Sequence, residues 1–241
     1  MVNAARPLGP EVAFDGAVWP DGRGLDGQFV RLERIDADRH AAALWPHMAN
    51  APEVWDYLFV PPPADAAGLR DVMATDAAKS DWLGYAIILP DGDVVGYAYY
   101  LNIVPANGTI EVGNINFSPR LQQTPAATEA MFLMMREVFA LGYRRYEWKC
   151  NALNMPSRRA AQRLGFSWEG IFRQHMIVKG RNRDTAWLAM TDQEWPALKD
   201  AFDIWLAPEN FDEAGRQRQS LATLTANHRA ASDPAQDVAQ P

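Results

Sequence analysis

The chain has 241 residues, 48% hydrophobic and 22% charged, a globular composition with room for one or two domains. Its 23 basic and 30 acidic residues leave a net charge of −7, which argues against a nucleic-acid binder working through a broad basic face. No apolar run approaches the ~18 residues of a bilayer span, and no basic flank precedes an apolar segment at the N-terminus. The single cysteine, Cys150, excludes an internal disulfide. At the end of an apolar run it reads as a buried thiol in a reducing, cytoplasmic compartment.

Residues 1–26, rich in Gly, Pro and Asp, read as an irregular arm laid on the domain through Phe14 and Trp19. The domain proper is expected over 27–206. Alternation predicts a strand at Phe29–Arg34. Asp36 is an N-cap for a helix over Ala37–Met48. Trp55–Leu58 forms a short helix or loop closed by Pro61-Pro62-Pro63, and a second helix runs from Asp65 to about Lys79. Strands follow at Tyr85–Leu89, Val94–Ile103 and Thr109–Phe117, separated by the turn pairs Asp91-Gly92 and Asn107-Gly108. A helix over Thr128–Leu141 ends near Gly142, and one over Ser157–Leu164 ends at Gly165. Between them lies a strand at Arg145–Cys150. Strands at Trp168–Val178 and Thr185–Asp192 flank a turn at Lys179-Gly180, and a last helix occupies Asp192–Trp205. In the tail, 207–241, Arg216–Arg229 has helical character, while Ala230–Pro241 is small, polar and expected to be partly disordered. The fold class is α/β: a mixed sheet of about seven strands, mostly antiparallel with one splayed parallel pair, flanked by helices.

Two segments carry chemistry. Gln122-Gln123-Thr124-Pro125-Ala126-Ala127-Thr128-Glu129-Ala130 joins a strand to a helix. It is a good helix start, with Thr124 as cap and Pro125 in the first position. A helix N-terminus also offers free N–H groups and about half a positive charge, which suits a diphosphate. The second segment, Asn154-Met155-Pro156-Ser157 through Leu164-Gly165-Phe166, reads locally as a turn residue and a cap before a short helix.

Together the two segments resemble the acetyl-CoA-binding core of the GNAT superfamily of N-acetyltransferases. The nearest branch is the one that includes the ribosomal-protein N-terminal acetyltransferases. The likeness spans about residues 27–195. Gln122-x-x-Pro125-x-Ala127 is similar to the family's Q/R-x-x-G-x-G/A turn. Ala127-Thr128-Glu129-Ala130 and Asn154-x-x-Ser157 before Gly165-Phe166 match its other runs. Pro125 stands where the family has glycine and removes one N–H donor. The resemblance implies acetyl-CoA as co-substrate, held by Phe117, Gln122, Gln123, Thr124, Ala126, Ala127, Thr128, Asn154, Ser157 and Arg158. It implies Ser157 near the thiol and an acceptor groove bordered by Trp55 and Tyr57. Many relatives are dimers, so a homodimer is a further expectation.

Acyl transfer to an amine needs the neutral nucleophile. A lysine-like amine near pKa 10.4 is neutral about once in two thousand at pH 7, so a base within hydrogen-bond reach is required. Glu111, in Ile110-Glu111-Val112-Gly113, resembles the family's base or substrate-binding carboxylate. Asn116 is expected near the acyl carbonyl, on the opposite face from Glu111 unless a bulge intervenes. The N–H of Val112 or Asn114 is placed to polarise that carbonyl. His175 is the alternative base. The four histidines show no metal-ligand spacing, so no metal is expected. The leading expectation is transfer of an acetyl group to a primary amine, on a protein N-terminus or a small molecule, by direct attack in a ternary complex. The alternatives are a non-catalytic acyl-CoA-binding sensor or complex subunit, motivated by Pro125, and a fold of this kind that has lost CoA. Neither nucleic acid nor membrane is expected as a partner.

Overall fold

The computed structural model describes residues 6 and 8–236. Eight strands form one sheet: β1 Leu25–Asp26, β2 Arg31–Arg34, β3 Leu83–Ile88, β4 Val94–Val104, β5 Thr109–Phe117, β6 Arg145–Asn151, β7 Ser167–Val178 and β8 Arg181–Thr191. Their order across the sheet is β1-β2-β3-β4-β5-β6-β8-β7. Every neighbouring pair is antiparallel except β5–β6, which is parallel. The helices are α1 Ala37–Met48, α2 Ala66–Ala77, α3 Pro125–Ala140, α4 Met155–Arg163, α5 Trp195–Leu206 and α6 Leu221–Thr225.

Alternation along the strands builds two cores. Ile110, Val112, Tyr146, Trp148, Ala186 and Leu188 face α3, α4 and α5, where they meet Met134, Leu164 and Phe202. Ala86, Tyr97, Tyr99 and Leu101 face α1 and α2, where they meet Leu44, Trp55 and Met73. The intervening residues of β5, β6 and β8, namely Glu111, Glu147, Lys149, Thr185 and Trp187, therefore share the α1–α2 face. Gly165, at φ +97, closes α4, and Leu198 packs where its Cβ would be, so both the backbone and the packing require glycine.

The differences from expectation have local causes. β1 is an eighth strand of two residues, too short to show a period. β8 begins at Arg181 rather than Thr185, because the polar run Arg181-Asn182-Arg183 pairs with Met176–Val178 across the hairpin. α3 begins at Pro125 rather than Thr128: Thr124 caps it, its Oγ1 accepting from the Ala127 N–H at 3.2 Å. Only Leu221–Thr225 of the helical stretch expected over 216–229 is α-helix.

The arm is laid on the domain by main-chain bonds, Ala17 N–H to Pro105 O and Val18 N–H to Leu141 O. Phe14 lies under the Arg144 guanidinium, and Trp19 is 43% exposed. Within the stretch expected to be disordered, Ala230–Gln236 lies against the domain. Trp168 N–H donates to Ala231 O, and the Asp233 carboxylate is fully buried against Arg158. Residues 237–241 lie outside the described residues.

Candidate active site

The parallel pair opens partway along. Thr109–Val112 pair with Arg145–Trp148, and there the ladder stops. Beyond it, Gly113–Phe117 pair only with β4 and Lys149–Asn151 only with β8. The facing edges are left with unpaired backbone donors and acceptors, which a buried strand does not tolerate without a partner. The cause is a bulge. Asn114 takes φ 47, and the β4–β5 register slips between Tyr97 and Tyr99. Asp76 of α2 pins it, accepting from Asn114 Nδ2 at 2.8 Å. The bulge also decides the facing of Asn116. Glu111 pairs with Leu101 and Asn116 with Tyr97, both in the α1–α2 core, so Glu111 and Asn116 share a face despite their five-residue spacing. Asn116 Nδ2 donates to Tyr97 Oη at 3.3 Å, while its Oδ1 is buried without a partner.

At the mouth of the opening stands Glu111, 5% exposed. Its Oε2 accepts from Asn102 Nδ2 at 2.6 Å and from Lys149 Nζ at 2.7 Å. Lys149 also meets Glu147 at 2.7 Å and lies 4.1 Å from the centroid of the Trp187 ring. Glu111 Oε1 lies over Gly113, where an added Cβ would sit 3.3 Å from it and 3.2 Å from Leu101 Cδ2. Glycine here leaves the carboxylate its space. Burial pushes the Glu111 carboxyl above the usual glutamate value, and Lys149 and Asn102 only partly offset this. A carboxylate with a raised proton affinity and one oxygen unengaged is suited to take a proton.

His175 joins the same face from β7. Its Nδ1 lies 2.9 Å from Thr185 Oγ1, and its ring packs against Phe172 and Trp187. The segment between α1 and α2 borders this face and is clasped to the β7–β8 hairpin: Lys179 Nζ donates to Trp55 O at 2.8 Å and Asp56 O at 2.9 Å. Tyr57 is 40% exposed and donates to Leu153 O. Trp55 differs from expectation. At 1% exposed it is core packing beneath the groove rather than a wall of it.

Several predicted donors at the start of α3 are already engaged. The Gln122 N–H donates to Ser118 O, the Thr124 N–H to Leu121 O and the Ala127 N–H to the Thr124 hydroxyl. Among the described residues, the N–H groups of Gln123 and Ala126 have no protein partner. Gln123 sits at φ 61, where the chain turns into the helix. The Gln122 side chain donates to Phe117 O. Thr128 Oγ1 accepts from Arg163 Nη1 at 2.9 Å. Arg163 forms no ion pair among the described residues, and burial lowers its pKa. At the start of α4, Asn154 Oδ1 caps the Ser157 N–H at 3.1 Å, and Ser157 Oγ accepts from Trp148 Nε1 at 3.0 Å. That leaves the Ser157 hydroxyl proton to donate, with the Cys150 sulfur as its neighbour in the structure. Cys150 is buried beside Ser157, and burial pushes its thiol up, against a nucleophilic role.

Arg158 is placed away from the expected phosphate. Its guanidinium is 5% exposed, pairs with both oxygens of Asp233 and donates to Ala152 O at 2.8 Å. The tail occupies it. Lys149, Asn102 and Trp187 belong to the site and were not read from the sequence. The β6–β8 pairing sets Lys149 opposite Trp187, and no local motif marks a contact between strands separated by a helix and a further strand. Among the described residues, no group of His, Cys, Asp and Glu is arranged to hold a metal ion, and no helix is long and apolar enough to cross a membrane.

A family model described as an acetyltransferase (GNAT) domain matches residues 30–167. A GCN5-related N-acetyltransferase from Brucella melitensis superposes with TM-score 0.84 at 47% identity, covering 88% of this chain and 97% of the other. A protein named a probable acetyltransferase of the GNAT family, from Chromobacterium violaceum, gives TM-score 0.75 at 39% identity, covering 80% and 100%. An acetyltransferase from Salmonella typhimurium that modifies the N-terminal serine of ribosomal protein L7/L12 gives TM-score 0.61 at 19% identity, covering 70% and 99%, a likeness of fold alone. No curated protein matches at a significant level.

Proposed function

The chain belongs to the GNAT family of acetyltransferases, and from that premise we propose that it transfers an acetyl group from acetyl-CoA to a primary amine by direct attack in a ternary complex. The observation that carries the reading is the opening between Gly113–Phe117 and Lys149–Asn151. It presents unpaired strand edges to an extended ligand, as an amide-bearing pantetheine arm requires. The residues fit the rest of the co-substrate. Gln123 and Ala126 offer N–H groups at the α3 N-terminus, and Thr128 and Arg163 stand beside them for a diphosphate. Acetyl-CoA supplies an activated acyl group as a thioester.

The protein's own residues do the remainder. The bulge at Asn114 turns backbone N–H groups toward the opening, where they stabilise negative charge growing on an acyl oxygen. Glu111 Oε1 takes the proton that the amine sheds as its nitrogen–carbon bond forms. Ser157 donates toward the sulfur as the carbon–sulfur bond breaks. Lys149 and Asn102 hold Glu111 in place, and the clasp between Lys179 and the Trp55–Asp56 carbonyls keeps the groove wall closed. The acceptor arrives on the α1–α2 face, beside Tyr57, His175 and Trp187. Cys150, reduced and buried, suits a cytoplasmic setting.

The test is thiol release from acetyl-CoA with a panel of amines, wild type against Glu111→Gln. Loss of a general base lowers kcat by about 10²–10⁴-fold, with acetyl-CoA binding retained. An unchanged rate in Glu111→Gln would move the role to His175, to be checked with His175→Gln.

A further inference from the structure

Two arginines are buried among the described residues, Arg158 and Arg183. Arg158 has its carboxylate. Arg183, 6% exposed, has none: among the described residues its side chain makes no hydrogen bond, and no carboxylate oxygen lies within 4.0 Å of its nitrogens. Its Nε is fully enclosed and unpartnered. Its guanidinium carbon lies 4.9 Å from the centroid of the Phe59 ring, and a phenyl face offsets only part of the desolvation of a cation. Burial correspondingly lowers its pKa, while the Glu111 charge acts in the opposite direction.

The position decides what this cation is for. Arg183 follows the same-face row of β8 that holds Thr185 and Trp187, so it opens on the acceptor face rather than on the α3 N-terminus. The groove thus has a carboxylate at one end, Glu111, and an unpaired guanidinium at the other. Phe59, Phe172 and Trp187 supply apolar surface on the same face. That pattern is the complement of a molecule with an amine at one end and an anion at the other. A planar guanidinium with parallel donors matches a carboxylate.

We propose that the acceptor amine carries a carboxylate and that Arg183 binds it, an inference that rests on the acetyl-transfer reading above. The carboxylate has two sources of the same chemistry: the acid group of a free amino acid, or an acidic side chain beside the amine of a peptide N-terminus.

Thiol release with the wild-type enzyme tests this without a mutant. Amino acids are compared with their carboxamides, and N-terminal peptides with an acidic second residue are compared with their neutral counterparts. In whichever series supplies the true acceptor, the acid is expected to exceed its neutral analogue in kcat/KM by about 100-fold, the scale of leaving a charged site unpaired. Arg183→Gln should abolish that preference mainly through KM and leave the neutral analogue unchanged, and Arg183→Lys should restore part of it. Equal rates for acids and neutral analogues in both series would overturn the carboxylate inference and leave the acetyltransferase reading standing. So would equal slowing of acid and neutral substrates by Arg183→Gln, the signature of a merely structural arginine. Acetyl-CoA binding without acetylation of any amine would overturn both.

Discussion

The corner where the tail meets α4 and the groove between β5, β6 and β8 use similar residues to opposite ends. In the corner, Arg158 is buried with its charge paired and each nitrogen bonded: Asp233 accepts from Nε and Nη2, and the Ala152 carbonyl from Nη1. Gln162 Oε1 accepts the Asp233 N–H at 2.9 Å, and Trp168 stacks on the guanidinium. In the groove, Arg183 is as deeply buried and has no anion among the described residues, Lys149 is shared between two carboxylates, and two strand edges face each other unpaired. Burial is similar in both regions, so burial alone does not mark a site. The mark is whether the chain answers its own charges and backbone groups. Where it does, the residues fasten the fold. Where it does not, they await a ligand.

The corner carries the largest expected effect. Asp233→Asn leaves the Arg158 guanidinium buried without its countercharge, at a cost of about 3–5 kcal/mol. The change should appear as a lower urea midpoint with an unaltered slope, while kcat per folded molecule holds. A loss below about 1 kcal/mol, on the scale of an exposed pair, would mean the tail rests on the corner without fastening it.

A second and smaller effect sharpens the groove side. Burial raises the Glu111 carboxyl above the ordinary glutamate value, and Lys149 pulls it back. The base form is the ionised one, so kcat/KM should fall as pH drops through a value above the usual glutamate range. Lys149→Met removes the cation that favours ionisation, so the acid limb should move to higher pH. A limb that stays in place, or moves down, would separate the rate from Glu111.

Much of the fold was legible because strands and helices announce themselves by period and punctuation. The sequence Asp36 before Ala37–Met48, the turns at Asp91-Gly92 and Asn107-Gly108, and Gly142 and Gly165 past their helices all have visible local causes. The motif singled out Glu111, which lies buried at the mouth of the opening, and the cap at Thr124 was legible too. The rest depends on contacts across distance. β1 is held by Glu129, which accepts the N–H groups of Gln28, Phe29 and Val30, so a motif residue of α3 serves as an anchor for the turn between β1 and β2. Arg158 and Arg183 look alike in sequence. Asp233, in a stretch that reads as a loose end, decides that the first is structural. The facing of Asn116 turned on one bulged residue, Asn114, which strict alternation does not foresee.

On the proposed reading, the opening between β5 and β6, with the α3 N-terminus beside it, binds acetyl-CoA. The decisive measurement is titration calorimetry of the wild-type chain with acetyl-CoA, repeated on Ala127→Glu. The account predicts micromolar binding that is lost when a negative charge is set beside the Ala126 and Gln123 N–H groups. No binding by the wild type, or binding that Ala127→Glu leaves unchanged, would contradict it.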